Sequence, residues 1–203
     1  IVTSAAVQLV ANELNLKTIP TNLQSLQVAS SLGQIELINS YKNIFNKHGL
    51  KVGQVLMSKN VLEDRSQFVN TTEALNELIN QDIIPVINEN DIVATEELKF
   101  GDNDRLSAIV AIITKADRLI IVTDREGLFN SDPAFSNEAR KIDYIEYDSE
   151  ELTNLIDKSS SGGGMGGFST KIMAAQMAGF SCIPTKIISW NNDVLVEVLN
   201  EKK

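Results

Sequence analysis

The chain has 203 residues, of which 43% are hydrophobic and 22% are charged, and this composition is typical of one soluble globular domain. No apolar run reaches the roughly 18 residues that a membrane span needs, so we expect no membrane partner. The formal net charge of −9 argues against a nucleic-acid-binding surface, which normally carries clustered Lys and Arg. Cys182 is the only cysteine, which excludes an internal disulfide and favours a cytoplasmic location and a small buried side chain.

Apolar runs of strand length alternate with longer segments of helical period. The first half begins with a predicted strand IVTS, a short helix near AAVQLVANEL and a long helix that ends at Gly49 and has a potential break near Gly33. A strand KVGQVLMS, a helix opened by a capping box at Asn70–Glu73, a strand IIPVIN and a polar loop are predicted to follow. The second half predicts a helix DRLSAIVAIITKA, a strand DRLIIVTD, a turn-rich loop REGLFNSDP, the segment KIDYIEY, a short helix near SEELTNLI, a glycine loop, a helix STKIMAAQMAG, a strand TKIISW and a last helix near NDVLVEVLNEK.

Strands separated by helices predict right-handed crossovers and a mainly parallel sheet in a single α/β domain. Ligands of such sheets bind beyond the carboxyl ends of the strands. Polar clusters follow three of the predicted strands, at Thr3–Ser4, Asn88–Asp91 and Thr123–Asp124. We therefore expect the functional site at that edge of the sheet.

The glycine loop within SSSGGGMGGFSTKIMAAQMAG precedes a helix. The residues after it are too few for a separate domain, which argues against an interdomain linker. Gly162, Gly164 and Gly167 match G-x-G-x-x-G, but no buried strand precedes them, and Phe168 stands where a Walker A loop needs Lys. Glycine amides, a helix start and Lys171 in the first turn favour a phosphate-binding loop, while a flexible surface loop is the alternative.

A second cluster runs through NENDIVATEELKFGDND. A solvated acidic loop is the ordinary interpretation, and one residue of an Asn-Asp pair could cap the following helix. Asp91, Asn103 and Asp104 nevertheless bracket one loop between a buried strand and a helix, and carboxylates with amides suit a ligand that carries an ammonium and a carboxylate. Asp124 could equally cap a turn or line a nucleotide pocket.

The segments IVTSAAV, KVGQVLMS, IIPVINENDIVATEELKFGDNDRLSAIVAI, LIIVTDREGLFNSDP and GGMGGFSTKIMAAQMA resemble the glutamate 5-kinases of the amino acid kinase family along nearly the whole chain. The resemblance implies a three-layer α/β/α sandwich with a mainly parallel central sheet. It also implies transfer of the γ-phosphoryl group of ATP, with Mg²⁺, to the side-chain carboxylate of L-glutamate, the first step of proline synthesis. A cytoplasmic homo-oligomer, a dimer or tetramer, is expected, and inhibition by proline is left open.

The resemblance assigns roles by position. Residues 1–115 would bind the amino acid and residues 116–203 the nucleotide; Lys171 would be the catalytic lysine and Asp104 would organise the catalytic lysines. The glutamate-binding positions are Ser4, Ala5, Asp91 and Asn103, and the ATP-binding positions are Thr123, Asp124, Met165, Gly166, Gly167, Phe168, Ser169, Thr170 and Lys171.

Three positions depart from the family pattern: Ala5 stands where Gly is frequent, Met165 where Thr is common and Phe168 where Met is common. The family's first strand, its Lys-Gly turn with a second catalytic lysine and the helix after it are expected before Ile1. The family's frequent RNA-modification-type domain does not occur in this chain. One His and one Cys leave no zinc-type ligand set, so no protein-held metal centre is predicted.

Two alternatives stay open. The chain could be another kinase of the superfamily, acting on acetylglutamate, aspartate, carbamate or a nucleotide. It could also be a catalytically silent regulatory subunit that keeps the fold and binds the ligand.

Overall fold

The structure is a computed structural model that describes residues 1–11, 20, 22–93, 103–124, 127–131, 138–160 and 168–200. Within these ranges the helices are α1 Ala6–Leu9, α2 Leu23–Asn46, α3 Arg65–Asn80, α4 Asn103–Ile113, α5 Glu150–Ser160, α6 Ser169–Gly179 and α7 Asn192–Asn200, with short 3-10 helices at Lys59–Leu62 and Asp91–Val93. The strands are β1 Lys51–Met57, β2 Ile83–Glu89, β3 Leu119–Thr123, β4 Leu128–Phe129, β5 Lys141–Ile142 and β6 Thr185–Ser189. The chain divides into two compact units, unit 1 (Ile1–Leu106) and unit 2 (Ser107–Lys203).

Strand β2 is the centre of the strand pairing in unit 1. It pairs in parallel with β1, from Lys51 opposite Ile83 to Met57 opposite Glu89. The first residues of the chain also pair with β2, because Thr3 N donates to the Ile87 carbonyl at 2.9 Å and Ile87 N donates to the Ile1 carbonyl at 2.8 Å. Parallel pairing brings the carboxyl ends of these segments to one edge, so the polar residues that follow Thr3 and those that follow β2 both begin at that edge.

Helix α2 is one continuous helix, and the break predicted near Gly33 is wrong. Asn22 caps its start, where the side-chain oxygen accepts a hydrogen bond from Ser25 N at 2.8 Å. A Cβ on Gly33 would lie 1.8 Å from the Ala6 carbonyl oxygen, so glycine is needed here for the close approach of α1. Gly49, which was expected to end the helix, follows it with φ 71, a left-handed conformation typical of a residue beyond a helix end.

Helix α3 begins earlier than the sequence pattern predicts. Asp64 is its cap and accepts a hydrogen bond from Gln67 N at 2.9 Å. Thr72 lies inside the helix, with its hydroxyl donating to the Phe68 carbonyl at 2.7 Å. The predicted capping box at Asn70–Glu73 is therefore wrong. The earlier cap at Asp64 is favoured because it adds further turns of backbone hydrogen bonds to a helix that is already nucleated.

Unit 2 contains a parallel pair, β3 with β6, and an antiparallel hairpin, β4 with β5. Two apolar clusters pack around these elements; one comprises Ala108, Ala111, Leu119, Ile121, Ala174, Ala178 and Ile183, and the other Leu128, Leu152, Leu155, Phe168 and Ile172. The predicted α/β class and mainly parallel pairing are confirmed. Within the described ranges the strands form two-stranded ladders.

Cys182 is exposed, so the prediction of a small buried side chain is wrong. It lies in the turn between α6 and β6, with a left-handed φ of 59, and its amide donates to the Gly179 carbonyl at 2.8 Å. The backbone of the turn, rather than the apolar character of the thiol, decides its environment. Among the described helices none is both long and apolar enough to cross a membrane.

Candidate functional site

Asn103, the first residue of α4, joins the two segments that end at the polar edge of unit 1. Its Nδ2 donates to the Thr3 carbonyl at 2.5 Å and to Asn88 Oδ1 at 2.7 Å. Asn88 is buried at the end of β2, and its Oδ1 also accepts a hydrogen bond from Glu89 N at 2.9 Å. The amide group of Asn103 is therefore held between the first segment and β2.

The other side of the Asn103 amide is unpaired. Both neighbours of Nδ2 are acceptors, which fixes the orientation of the amide and places Oδ1 on the opposite side. Asn103 Oδ1 is buried and has no hydrogen-bond partner among the residues that the structure describes. Most buried polar atoms are paired, so an oriented acceptor of this kind is available to a donor from outside the protein, a water molecule or a ligand.

Asp91 is held from the side of α2. It opens the short 3-10 helix after β2, and Ser30 donates a short hydrogen bond to its Oδ2. One turn earlier on α2, Gln27 Nε2 donates to the Ile92 carbonyl at 3.0 Å. Helix α2 therefore fixes both the carboxylate of Asp91 and the backbone beside it.

Ser4 and Ala5 are exposed at the start of α1. Ala5 has φ 77 and ψ 10, a left-handed conformation that costs a residue with a Cβ roughly 1–2 kcal/mol. The preceding Thr3 is anchored by Tyr41, whose hydroxyl donates to Thr3 Oγ1 at 3.0 Å. The backbone at Ser4–Ala5 is thus held in a conformation that glycine would adopt more easily.

Asp104 lies in the first turn of α4 and is half-buried. An acidic side chain is favourable there because the helix start carries a partial positive charge. Asp104 belongs to unit 1 and Lys171 to unit 2, and the predicted action of Asp104 on the lysine stays a prediction.

Thr123 and Asp124 lie at the carboxyl end of β3 in unit 2. Thr123 is buried, its Oγ1 donates to Asp124 Oδ1 at 3.1 Å and its carbonyl accepts from Trp190 N at 2.8 Å. The side chain of Asp124 is exposed. Because β6 runs parallel to β3 and ends beside it, this pair occupies the position in the sheet that the sequence predicts for a ligand.

Helix α6 begins at Ser169 and places Ser169, Thr170 and Lys171 in its first turn, all partly exposed. Phe168 is only 7% exposed and packs into the apolar cluster with Leu155 and Ile172. A nucleotide could contact Phe168 only through its backbone, because its side chain anchors the start of the helix. The loop positions Met165, Gly166 and Gly167 lie outside the described residues, as do Gly162 and Gly164.

Unit 2 also contains an open cavity of about 630 Å³ between residues 141–147, α6 and β6. Its wall on α6 is formed by Ile172, Ala175, Gln176 and Gly179. Of the predicted nucleotide positions that the structure describes, Thr123, Asp124 and residues 168–171 do not line this cavity. In the described part of the chain no group of three or more His, Cys, Asp or Glu side chains could hold a metal ion.

Sequence reasoning missed the contribution of α2 to this site. Ser30 and Tyr41 contact Asp91 and Thr3, and neither was a candidate residue. The missed signal is that Gln27, Ser30, Gln34 and Tyr41 recur at helical spacing on the face that also carries Leu26, Ala29 and Leu37. A polar side chain at such a position on a core-facing stripe indicates a polar contact inside the protein.

Comparison with known proteins finds relatives along the whole chain. The model of the amino acid kinase family matches residues 1–189. Similar curated proteins include the glutamate 5-kinases of Prochlorococcus marinus strain MIT 9301, 40% identical over 208 residues, and of Proteus mirabilis strain HI4320, 40% identical over 203 residues. Each comparison covers 100% of this chain but only 57% and 55% of the relative, so the chain spans little more than half the length of the curated relatives it matches.

Solved structures show the same fold at low identity. Escherichia coli aspartokinase III in complex with aspartate and ADP matches with a TM-score of 0.59 and 18% identity, over 90% of this chain and 41% of that one. Uridylate kinase from Archaeoglobus fulgidus matches with a TM-score of 0.56 and 16% identity, over 99% of this chain and 79% of that one. With the family model matched along nearly the whole sequence, the chain belongs to the amino acid kinase family.

Proposed function

We propose that the protein transfers the γ-phosphoryl group of ATP to the side-chain carboxylate of L-glutamate and forms L-glutamyl 5-phosphate, the first step of proline synthesis. The observation that carries the proposal is the buried, oriented and unpaired acceptor Asn103 Oδ1 at the carboxyl edge of β2. The identity of about 40% to glutamate 5-kinases along the whole chain supports the choice of glutamate.

An amino acid fits the groups of unit 1 better than a ligand without an ammonium. Asn103 Oδ1 can only accept a hydrogen bond, and Asp91 adds a carboxylate held by Ser30. The α-ammonium of glutamate supplies both donors and positive charge. N-acetylation would remove that charge and most of those donors, so this site favours the free amino acid over acetylglutamate.

The chemistry needs charge neutralisation and alignment rather than a general base. The side-chain carboxyl group of glutamate ordinarily has a pKa of about 4.3, so it is already an anion at neutral pH. The obstacle is its approach to the anionic phosphates, which Lys171 and the positive start of α6 would offset. Binding of the amino-acid end at Asp91 and Asn103 would leave only the side-chain carboxylate to reach phosphorus.

Mg²⁺ is expected with the nucleotide. This ion usually binds through substrate phosphates and one or two carboxylates. The exposed Asp124, at the carboxyl end of β3, is a carboxylate of the predicted nucleotide positions, and it suits a hard cation. When bound, Mg²⁺ would neutralise part of the phosphate charge.

A substrate panel tests the proposal. We would measure ADP formation from ATP and Mg²⁺ with L-glutamate, N-acetyl-L-glutamate, L-aspartate, carbamate and UMP as acceptors. Turnover with L-glutamate alone is the expected result. Turnover with acetylglutamate or UMP at the rate of glutamate would contradict the assignment, and ligand binding without turnover of any acceptor would favour a regulatory subunit.

The family resemblance also leads us to propose a cytoplasmic homo-oligomer, a dimer or tetramer. Light scattering of the purified protein measures the subunit number directly. The same preparation, titrated with proline during turnover, shows whether the end product of the route inhibits the enzyme.

A further inference from the structure

We propose that the polar stripe of α2 completes the amino-acid site, with Gln34 as an additional ligand-binding residue and Ser30 as the residue that positions Asp91. In this assignment Gln34 Nε2 donates a hydrogen bond to the α-carboxylate of the bound amino acid. The inference rests on the proposed function, and its test is designed to fail separately from it.

The stripe runs through Gln27, Ser30, Gln34, Leu37 and Tyr41, whose spacing of three and four places them on one face of the helix. Two of its members hold the turn after β2, since Ser30 contacts Asp91 and Gln27 contacts the Ile92 carbonyl. Tyr41 contacts Thr3 in the first segment. Gln34 therefore lies between the two anchor points of the predicted site.

The neighbour of Gln34 brings the same part of α2 close to the start of α1. Gly33 approaches the Ala6 carbonyl so closely that a Cβ would lie 1.8 Å from its oxygen. Ala6 follows Ser4 and Ala5, which the family resemblance assigns to substrate binding. The turn of α2 that carries Gln34 thus faces the substrate-binding backbone.

Gln34 is a buried polar residue whose burial is not explained by a contact of its Nε2 with the described residues. Gln34 is only 8% exposed, and its Nε2 is buried without a hydrogen-bond partner in the described ranges of the chain. Ser30, one turn earlier, is 2% exposed, and its hydroxyl is paired with Asp91. A glutamine is seldom buried to this extent unless its amide is satisfied, so the missing partner of Gln34 points to a ligand oxygen.

Two buried, unpaired atoms in the described part of unit 1 are complementary to one amino acid. Asn103 Oδ1 is an acceptor for the α-ammonium, and Gln34 Nε2 is a donor for a carboxylate. The side-chain carboxylate of glutamate must stay available to attack phosphorus. The α-carboxylate, next to the ammonium, is therefore the group that Gln34 binds.

The decisive variant is Gln34→Leu, which keeps the size of the side chain and removes its amide. We would measure glutamate affinity by calorimetry and thermal unfolding without ligand. We expect the dissociation constant for glutamate to rise about tenfold, because one hydrogen bond to a charged group is lost. The unfolding temperature without ligand should be unchanged or higher, since the Nε2 group that is removed is buried without a hydrogen-bond partner among the described residues.

Gln34→Glu tests the polarity of the contact. It would place a second carboxylate against the α-carboxylate, so we expect a larger loss of glutamate affinity than for Gln34→Leu. The Michaelis constant for ATP should stay at the wild-type value in both variants. Glutamate binding by Gln34→Glu equal to or tighter than wild type would overturn the assignment of Gln34 as a donor.

Ser30 and Ser31 give a matched pair for the positioning role. Ser30 contacts Asp91, whereas Ser31 is exposed and its hydroxyl donates to the Gln27 carbonyl at 2.7 Å on the same helix. Ser30→Ala should raise the Michaelis constant for glutamate severalfold with little change in kcat, and Ser31→Ala should change neither. Equal effects of the two substitutions would contradict the positioning role.

Glutamate binding by the wild-type protein distinguishes a failure of the proposed function from a failure of the role proposed for Gln34. Wild-type protein that binds no glutamate would overturn the proposed function and this inference with it. Wild-type binding together with unchanged binding by Gln34→Leu would overturn the inference alone and leave the proposed function standing.

Discussion

At the residue scale, the burial and hydrogen bonding of individual polar atoms distinguish a binding site from an acidic surface loop. Asn103 could have been only the helix cap that the sequence allows. Its contacts to Thr3 and Asn88 instead tie two strand ends together and leave Oδ1 buried and unpaired. These atoms could not be recognised from the sequence, because the partners of Asn103 lie 100 and 15 residues away along the chain.

Asp91→Ala should raise the Michaelis constant for glutamate by roughly ten- to a hundredfold, since a charged partner of the α-ammonium is lost. The Michaelis constant for ATP should change little, because the proposed role of Asp91 is to bind the amino acid. Steady-state kinetics with each substrate varied in turn measures both constants. An unchanged value for glutamate would remove Asp91 from the site.

Lys171→Ala should lower kcat by roughly a hundred- to a thousandfold, the usual effect of removing one group that stabilises transition-state charge. Glutamate affinity, measured by calorimetry, should stay within about twofold of wild type, because the proposed role of the lysine is to stabilise charge on the phosphoryl group. Lys42→Ala is the control, since Lys42 is exposed on α2. Near-normal turnover of Lys171→Ala would refute its catalytic role.

At the element scale, periodicity predicts most helices and strands but does not show what each face contacts. The hydrophobic pattern predicts α2, yet its buried Ser30 and Gln34 look like ordinary polar positions until the contact between Ser30 and Asp91 is known. Gly33 is a weak helix former, so a break was a reasonable expectation. The structure shows that close packing on Ala6 explains this glycine. Helix propensity depends on local sequence and does not predict packing partners that are distant along the chain.

Gly33→Ala should separate α1 from α2. The added Cβ would meet the Ala6 carbonyl, which is backbone and cannot rotate away. We expect a loss of about 1–3 kcal/mol in the free energy of unfolding, as for other overpacked sites. Chemical denaturation measures this loss, and glutamate affinity should fall as well because Ser4 and Ala5 precede the displaced residue.

Gly53→Ala is the control for that experiment. Its Cβ would lie 3.2 Å from Leu78 Cδ2, the end of a side chain that can move, so the loss of stability should be clearly smaller. Equal destabilisation by the two substitutions would contradict the claim that the close contact between Gly33 and the Ala6 carbonyl requires glycine.

At the scale of the whole molecule, the chain consists of a unit that holds the predicted amino-acid residues and a unit that holds most of the predicted nucleotide residues. Asp91 and Asn103 belong to the first, and Thr123 and Lys171 to the second. The sequence order of the polar clusters predicts this assignment, because each cluster follows its own strand. The strand that each polar cluster follows can therefore be predicted from the sequence. The orientation of each side chain cannot, because it depends on contacts that form only on folding.

Amide hydrogen exchange of the intact protein tests this division. Glutamate alone should slow exchange in peptides that cover α1, the middle of α2 and the end of β2, because its contacts are proposed for unit 1. A non-hydrolysable ATP analogue with Mg²⁺ should slow exchange at the end of β3 and the start of α6. Peptides from α3 serve as the internal control, since no ligand contact is proposed for them. Protection of unit 2 by glutamate alone, with no change in unit 1, would reverse the assignment and with it the roles of Asp91, Asn103 and Gln34.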